Sequence, residues 1–356
     1  MNIRHPQAAR PVPIVSMRAL RPSGETRCKA AVCLHLDAFE KIYGPTFQSD
    51  LSDRLDFAHV LLTPEQVAAE PSLLADAELL FAGWGTPRLD RRLLDANPNL
   101  KMVFYGSGSI RQLVTDDFWD RGLRVTSAYA ANAIPVAEFT LSQIIFCLKQ
   151  GYRQIDAYAR LRRKPGPTEA PGGFGSTVGI VSLGMIGAMV CRRLQSMDVR
   201  VLAYDPFASQ ERARKLGVEM VSLDDVFRRS DVVSLHAPSL KETRGMIRGE
   251  HFASMKASAG FINTSRGAVV REAEMIAALQ KRPDLTAVLD VTDPEPPVAD
   301  SPMWGMENVI LLPHIAGSYG QECRRMGQFM LEELDNYEAG RPLKWEINRD
   351  AAAIMA

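Results

Sequence analysis

Apolar and polar positions along this chain alternate between two periods. From Cys28 onward, short runs rich in β-branched and aromatic residues recur at intervals that leave room for a crossover helix, and between them apolar residues fall three and four apart. The strand-like runs of the first part are residues 31–35, 59–62, 79–82, 101–105 and 124–127. A second series comprises 177–182, 200–204, 231–236, 260–264, 286–290 and 309–312. Strand, helix and strand in this repetition predict parallel sheets with helices on both faces. The fold expected is therefore α/β, with two doubly wound parallel-sheet domains.

Between the two series, residues 135–161 open on a proline and continue with good helix formers and apolar Leu141, Ile144, Ile145 and Leu148, which predicts one long connecting helix. Residues 164–176 hold three Pro and four Gly and read as an irregular loop. The helical window 321–337 has no further sheet of its own and is expected to pack back on the first domain.

Composition narrows the function classes. Forty-two Lys plus Arg balance 42 Asp plus Glu, so no net field recruits nucleic acid or an anionic membrane surface. The most continuous apolar stretch, 178–191, is interrupted by Gly179, Gly184 and Gly187 and falls short of a membrane span, so no membrane partner is expected. Residues 1–27 carry five Arg, one Glu and four prolines, and read as a flexible arm. The five cysteines form no CxxC pair, which suits reduced thiols in a cytoplasmic setting, and no HExxH or related spacing supports a metal site.

Two windows carry chemistry. In "STVGIVSLGMIG" an apolar strand runs into Ser182-x-Gly184-Met185-Ile186-Gly187 and then a helix, the context of a phosphate-binding turn in a Rossmann fold. The middle glycine admits backbone to a pyrophosphate, the last allows helix–strand packing, and the helix N-terminus supplies N–H donors. Ser182 stands where glycine is usual. Asp205, 23 residues after Ser182, ends the next strand, where a carboxylate accepts ribose hydroxyls and disfavours an added phosphate. The cofactor expected is NAD; the alternative for this window is a strand end followed by an Asp-Pro turn.

The second window is threefold. "FINTSRGAVV", "AVLDVTDPEPP" and "VILLPHIAG" each follow a strand, so Arg266, Glu295 and His314 should gather at the carboxyl edge of the sheet, where open α/β folds bind ligands. A guanidinium, a carboxylate and an imidazole are the types needed to bind a 2-oxo acid and protonate its carbonyl. Taken singly, each also fits an ordinary structural part.

With these motifs in this order, the chain resembles the D-isomer-specific 2-hydroxyacid dehydrogenases, nearest in spacing to their glyoxylate and hydroxypyruvate reductase branch, with 29 and 19 residues separating Arg266, Glu295 and His314. The resemblance spans roughly residues 29–348. It implies a Rossmann NAD-binding domain (134–314) inserted into a flavodoxin-like substrate domain (28–133, returning as 315–356), with a hinge near Ala133 and His314. It implies Arg266 as the clamp on substrate carboxylate and carbonyl, His314 as acid–base, and Glu295 as its partner. Asp290 would hold the nicotinamide carboxamide, and Thr264, His236, Ala237, Pro238 and Thr243 would line the coenzyme. The main-chain amides of Ser107, Gly108 and Ser109 would receive the substrate carboxylate, with Asn132 and Val136 near the cleft.

Arg111 departs from the family's pattern, and reads either as a solvated helix-start residue or as an added cation favouring a second acidic group. The long helix after Pro135 resembles the family's dimerisation element, which implies a homodimer. The activity implied is hydride transfer between a nicotinamide and C2 of a small D-2-hydroxy or 2-oxo acid. Alternatives are the same scaffold acting on phosphoglycerate or phosphite, or a non-catalytic NAD(H)-sensing protein like the related corepressors.

Overall fold

A computed structural model describes residues 27–59, 61–166 and 169–355. Apart from Arg27, the arm expected over 1–27 lies outside the described residues. The first sheet is built from β1 (Cys28–Cys33), β2 (Leu55–Phe57), β3 (Leu79–Ala82), β4 (Met102–Tyr105) and β5 (Arg124–Ser127). The second takes β6 (Thr177–Val181), β7 (Arg200–Tyr204), β8 (Glu219–Met220), β9 (Val232–Leu235), β10 (Gly260–Asn263), β11 (Thr286–Leu289) and β12 (Val309–Leu311). The chain then returns to the first sheet as β13 (Glu346–Ile347).

The orders are β13-β5-β4-β3-β1-β2 and β12-β11-β10-β9-β6-β7-β8. Every pairing is parallel except β13 with β5. The first is the flavodoxin-like order with an antiparallel edge strand added, and the second is the Rossmann order extended by one strand. Central strands such as β3, β4, β9, β10 and β11 are buried at every position, because helices cover both faces.

Four expectations are corrected. The first strand is Cys28–Cys33, beginning three residues before the expected 31–35 and ending two residues short of its end. The second strand lies at Leu55–Phe57, not 59–62, and Leu62 makes only an isolated bridge to Cys33. Buried Leu55, and Phe57 packed against the ring of Phe81, mark the paired segment by alternation, whereas 59–62 was read from apolar continuity. The long helix of 135–161 is two helices, Tyr129–Leu148 and Gly151–Leu161. They part where Gln150 takes a left-handed φ of 50° and Gly151 comes so close to the Phe146 ring that a Cβ there would lie 2.5 Å from it. Finally, the helix Tyr129–Leu148 has 20 residues, holds Pro135 in its interior, and is long and apolar enough by length and composition to cross a membrane, which the sequence reading had not seen. Its apolar character is used inside the protein: it packs on the helix Met185–Leu194, on β9 and β10, and on the returning helix Gln321–Glu338.

That returning helix covers the first sheet with Cys323, Met326, Gly327, Met330 and Leu334. Gly327 is required there, since a Cβ would lie 2.1 Å from the carbonyl oxygen of Ile42. The same face carries Glu333, fully buried. Its carboxylate accepts from Thr126 Oγ1 (2.9 Å), the amides of Trp345 (2.9 Å) and Lys344 (3.0 Å), and Asn336 Nδ2 (3.2 Å). A buried carboxylate is tolerated only when its lone pairs are so satisfied. It ties β5, the helix and the start of β13 into one unit. Replacing Glu333 by Ala leaves buried donors without an acceptor and should cost about 3 kcal/mol. A urea unfolding midpoint unchanged in Glu333→Ala would show that this clamp contributes nothing.

Candidate active site

The phosphate turn follows directly from β6. Ser182 adopts φ 77°, the left-handed conformation that glycine ordinarily takes at this place. The strain, about 1–2 kcal/mol for an L-residue, is held by neighbours: Ser182 N donates to Tyr204 O at 2.7 Å, and Leu183 N to Asp205 Oδ2 at 2.7 Å. Gly187 has no room for a side chain, since a Cβ would stand 2.1 Å from Ser182 O. Gly184 has room, with only Ser182 Oγ at 3.9 Å, and it begins the helix Met185–Leu194 with no side-chain cap. The first-turn amides of Met185, Ile186 and Gly187 therefore remain available to an anion, and the turn fits a dinucleotide pyrophosphate.

Asp205 has more to do than the sequence suggested. Besides Leu183 N, its carboxylate accepts from the amides of Phe207 (2.8 Å) and Ala208 (3.1 Å), so it shapes both the phosphate turn and the loop after β7. Arg212, which no motif singled out, braces the same turn from Nη2 to Leu183 O at 2.6 Å.

At the carboxyl edge of β10, the Asn263 side chain folds the corner that presents Arg266. Its Oδ1 accepts from Ser265 N (3.0 Å) and Ser265 Oγ (2.9 Å), and its Nδ2 donates to Arg266 O (3.1 Å). Sequence reasoning passed over Asn263; its place two residues before a serine, at a strand end, was the available signal. Gly267 packs this corner against the loop after β11, where a Cβ would lie 2.0 Å from the Thr292 carbonyl carbon. Arg266 is largely buried, and desolvation pushes its guanidinium below the ordinary value; Glu295 acts in the opposite sense and Arg111 in the same sense.

His314 Nδ1 lies 2.6 Å from Glu295 Oε1, and both side chains are partly open to solvent. An ionised carboxylate only accepts, so Nδ1 carries the hydrogen and Nε2 is the nitrogen left to exchange a proton with a ligand. Buried Asp290 fixes the backbone immediately beyond, its Oδ1 accepting from Ile315 N (2.7 Å) and its Oδ2 from Ala316 N (3.0 Å). The structure thus brings Arg266, Glu295 and His314 together and gives Asp290 an anchoring contact that the sequence had not revealed.

The remaining expected residues divide. Thr264 Oγ1 pairs with Thr140 Oγ1 at 2.9 Å, joining β10 to the helix Tyr129–Leu148. Thr243 Oγ1 closes the turn after β9, accepting from Leu240 N (2.8 Å) and donating to Pro238 O (2.5 Å), beside buried Ala237. On the first sheet's edge, Ser127 Oγ lies within hydrogen-bond distance of the carbonyls of Ser107 (2.7 Å) and Gly108 (2.5 Å). The amide of Ser107, expected to receive a substrate carboxylate, instead donates to Tyr105 O at 2.8 Å, while those of Gly108 and Ser109 have no acceptor among the described residues and remain available to an anion. Asn132 Oδ1 accepts from Ser318 N (3.0 Å) and Ser318 Oγ (2.8 Å), linking the start of its helix to the chain beyond His314, while Val136 is buried. Among the described residues, no group of three His, Cys, Asp or Glu side chains is placed to hold a metal ion.

Known proteins resemble this chain in sequence and in fold. A family model for the D-isomer specific 2-hydroxyacid dehydrogenase, NAD binding domain, matches residues 144–316. The D-3-phosphoglycerate dehydrogenase of Archaeoglobus fulgidus is 31% identical over 264 residues, 73% of this chain and 50% of that protein. The chain spans about half the length of the phosphoglycerate dehydrogenases it matches. The glyoxylate reductase of Korarchaeum cryptofilum is 32% identical over 274 residues, 76% of this chain and 82% of that protein. Among solved structures, the TT0316 protein from Thermus thermophilus superposes with a TM-score of 0.70 at 26% identity, covering 90% of this chain and 99% of that one. Rhodotorula graminis D-mandelate dehydrogenase shares the fold with a TM-score of 0.73 at 24% identity, covering 91% and 98%.

His236 directly follows β9 and is buried, with Nε2 2.9 Å from Ser234 Oγ and Nδ1 lacking any partner among the described residues. Burial drives its pKa down from 6.5 to about 3. The folded protein keeps the ring neutral, so nothing is gained or lost above pH 6.5. Below that value the unfolded chain takes up a proton that the folded one refuses, and stability falls by up to about 1.4 kcal/mol per pH unit until the pH nears 3. His236→Gln should flatten the dependence of melting temperature on pH across this window; an identical slope in both proteins would mean that the ring does not resist protonation.

Proposed function

The chain belongs to the D-isomer-specific 2-hydroxyacid dehydrogenase family, and from that premise we propose that it is an NAD-dependent oxidoreductase moving hydride between the nicotinamide and C2 of a small D-2-hydroxy or 2-oxo acid. The observation that carries the reading is the 2.6 Å contact of His314 with Glu295, in electrostatic reach of Arg266, at the same carboxyl edge of the sheet as the phosphate turn. NAD, when bound, supplies or accepts the hydride. In the reducing direction, Arg266 and the free amides of Gly108 and Ser109 bind the substrate carboxylate. The guanidinium also polarises the C2 carbonyl, and partial burial strengthens both attractions. His314 then gives the Nε2 proton to the carbonyl oxygen, and Glu295 steadies the ring through Nδ1. In the oxidising direction His314 takes that proton back.

Closure of the two sheets about the crossings near Ala133 and His314 would exclude water from this path. A cytoplasmic, reducing setting is supported by the buried thiols of Cys33, Cys147 and Cys191, which burial pushes up to about 12. The balanced charge offers no general attraction for nucleic acid or anionic membranes.

The direct test follows NADH absorbance with glyoxylate, hydroxypyruvate and pyruvate. His314→Ala should lower kcat by about 100-fold or more, and Arg266→Ala should lower kcat/KM by a comparable factor. NADH binding without turnover of any acid would favour the coenzyme-sensing alternative; undiminished rates in both variants would remove the mechanism.

A homodimer is proposed on a separate observation. The helix Gly151–Leu161 buries only its first residue and leaves Ile155, Tyr158 and Leu161 exposed along one side, with Phe174 exposed nearby in sequence. An apolar face of this kind suits an isologous two-fold contact. Light scattering should report twice the chain mass at micromolar concentration and a single chain for the double variant Ile155→Glu, Tyr158→Glu; a monomeric parent protein would end the proposal.

A further inference from the structure

The loop that carries Ser107–Ser109 ends in a charge that the mechanism above leaves unused. Arg111 is exposed, and its Nη1 donates to Ser239 O at 2.7 Å, a partner 128 positions away. Ser239 belongs to the turn after β9, so the contact joins the carboxyl edge of the first sheet to that of the second. A carbonyl occupies one of the five guanidinium N–H donors and neutralises none of the charge. Among the described residues no carboxylate forms an ion pair with Arg111. Arg266 feels it instead, as a second positive charge added to its own burial.

The mouth of the site therefore gathers two guanidinium groups and the free amides of Gly108 and Ser109. Against Arg266 stands the Glu295 carboxylate, which His314 already engages. A 2-oxo acid with a single carboxylate brings one negative charge, and Arg266 with the amide nest takes it. The second cation is then left unmatched, and like charges in a closing cleft repel more strongly as water leaves.

We propose that Arg111 is a specificity-determining residue that selects 2-oxo and 2-hydroxy acids bearing a second acidic group, carboxylate or phosphate, on the side of C2 away from the first. This rests on the 2-hydroxyacid reading and names the substrate class for it. The Ser239 contact sets the guanidinium at the junction of the two sheets, with four N–H donors still to offer, two of them in the fork that matches an oxyanion.

The test compares kcat/KM for two acids with a second charge, oxaloacetate and 3-phosphohydroxypyruvate, against pyruvate and hydroxypyruvate in the parent protein, Arg111→Gln and Arg111→Lys. The parent should favour the doubly acidic pair by about 10- to 100-fold, the worth of one charge-assisted contact, chiefly through KM. Arg111→Gln should erase that ratio, and Arg111→Lys should keep part of it. Whichever of oxaloacetate or phosphohydroxypyruvate shows the larger loss identifies the second group. Without turnover, calorimetry on the enzyme–NADH complex should show D-malate binding more tightly than D-lactate, and Arg111→Gln should remove the difference. An equal loss on all four acids would make Arg111 only a strut between domains; a loss confined to NADH affinity would make it a coenzyme contact; either overturns the proposal, as does a parent protein with no preference. If no acid gives His314-dependent turnover, the 2-hydroxyacid reading itself falls, whereas His314-dependent turnover with a ratio indifferent to Arg111 defeats this inference alone.

Discussion

Everything in the corner that presents His314 hangs on one buried carboxylate. His314 sits at φ 54°, a conformation that costs an L-residue about 1–2 kcal/mol. Asp290, only 1% exposed, holds the next two amides at 2.7 and 3.0 Å. Hydrogen bonds to a charged group contribute about 1.5–3 kcal/mol each, so the two together exceed the backbone strain. The direction of dependence is then clear. The Asp290 clamp fixes where the chain turns after β12, the turn fixes where the imidazole emerges, and only then is Glu295 at 2.6 Å. An imidazole on an unclamped loop would relax out of the left-handed region and lose its partner.

The coenzyme turn repeats the device with different residues. Ser182 is strained in the left-handed region, and a carboxylate, Asp205, gathers the amides of Leu183, Phe207 and Ala208 around it. The serine is accommodated because its carbonyl still points at the bare Gly187, the one contact in the turn that no side chain could survive. A residue other than glycine at the first position therefore alters local strain and leaves the cradle open. In both places an acidic side chain is used to shape main chain, which leaves groups uncommitted, the helix amides in one case and Nε2 in the other.

What was legible in the sequence follows from this. Strands β6, β7 and β9 to β12 fell within a residue of their expected bounds because both faces are covered, and such strands read as apolar runs bounded by Gly, Asp or Pro. Arg266, Glu295 and His314 stood out because strand ends gather at one edge and the three are chemically unlike a core. The slip at β2 arose where continuity of apolar residues competed with alternation. The two-residue strands β8 and β13 carry too little pattern to register. The break at Gln150 depended on a single left-handed residue, which sequence periodicity across it conceals. Arg212, Thr140 and the Asp290 clamp were illegible for a deeper reason: their partners are main-chain groups or remote hydroxyls, and a main-chain amide has no letter in the sequence.

The helix Tyr129–Leu148 explains how parts from two sheets stay in register. It begins in the first sheet's territory with Asn132 bonded to Ser318 and reaches the second sheet's core through Thr140 and its bond to Thr264 on the strand that leads to Arg266. Pro135 lies between those two attachments, and its missing N–H leaves the helix one main-chain hydrogen bond short there. A rigid beam with one soft joint allows rotation of the sheets about that joint while fixing each end to its own part of the site. The other connection passes through His314, whose position is set by Asp290 within the second sheet. Rotation would then move the amides of Gly108 and Ser109 against a stationary Arg266–Glu295–His314 group. The substrate-binding half would travel and the proton-transfer half would stay beside the coenzyme, which keeps the acid–base geometry independent of how far the cleft has shut.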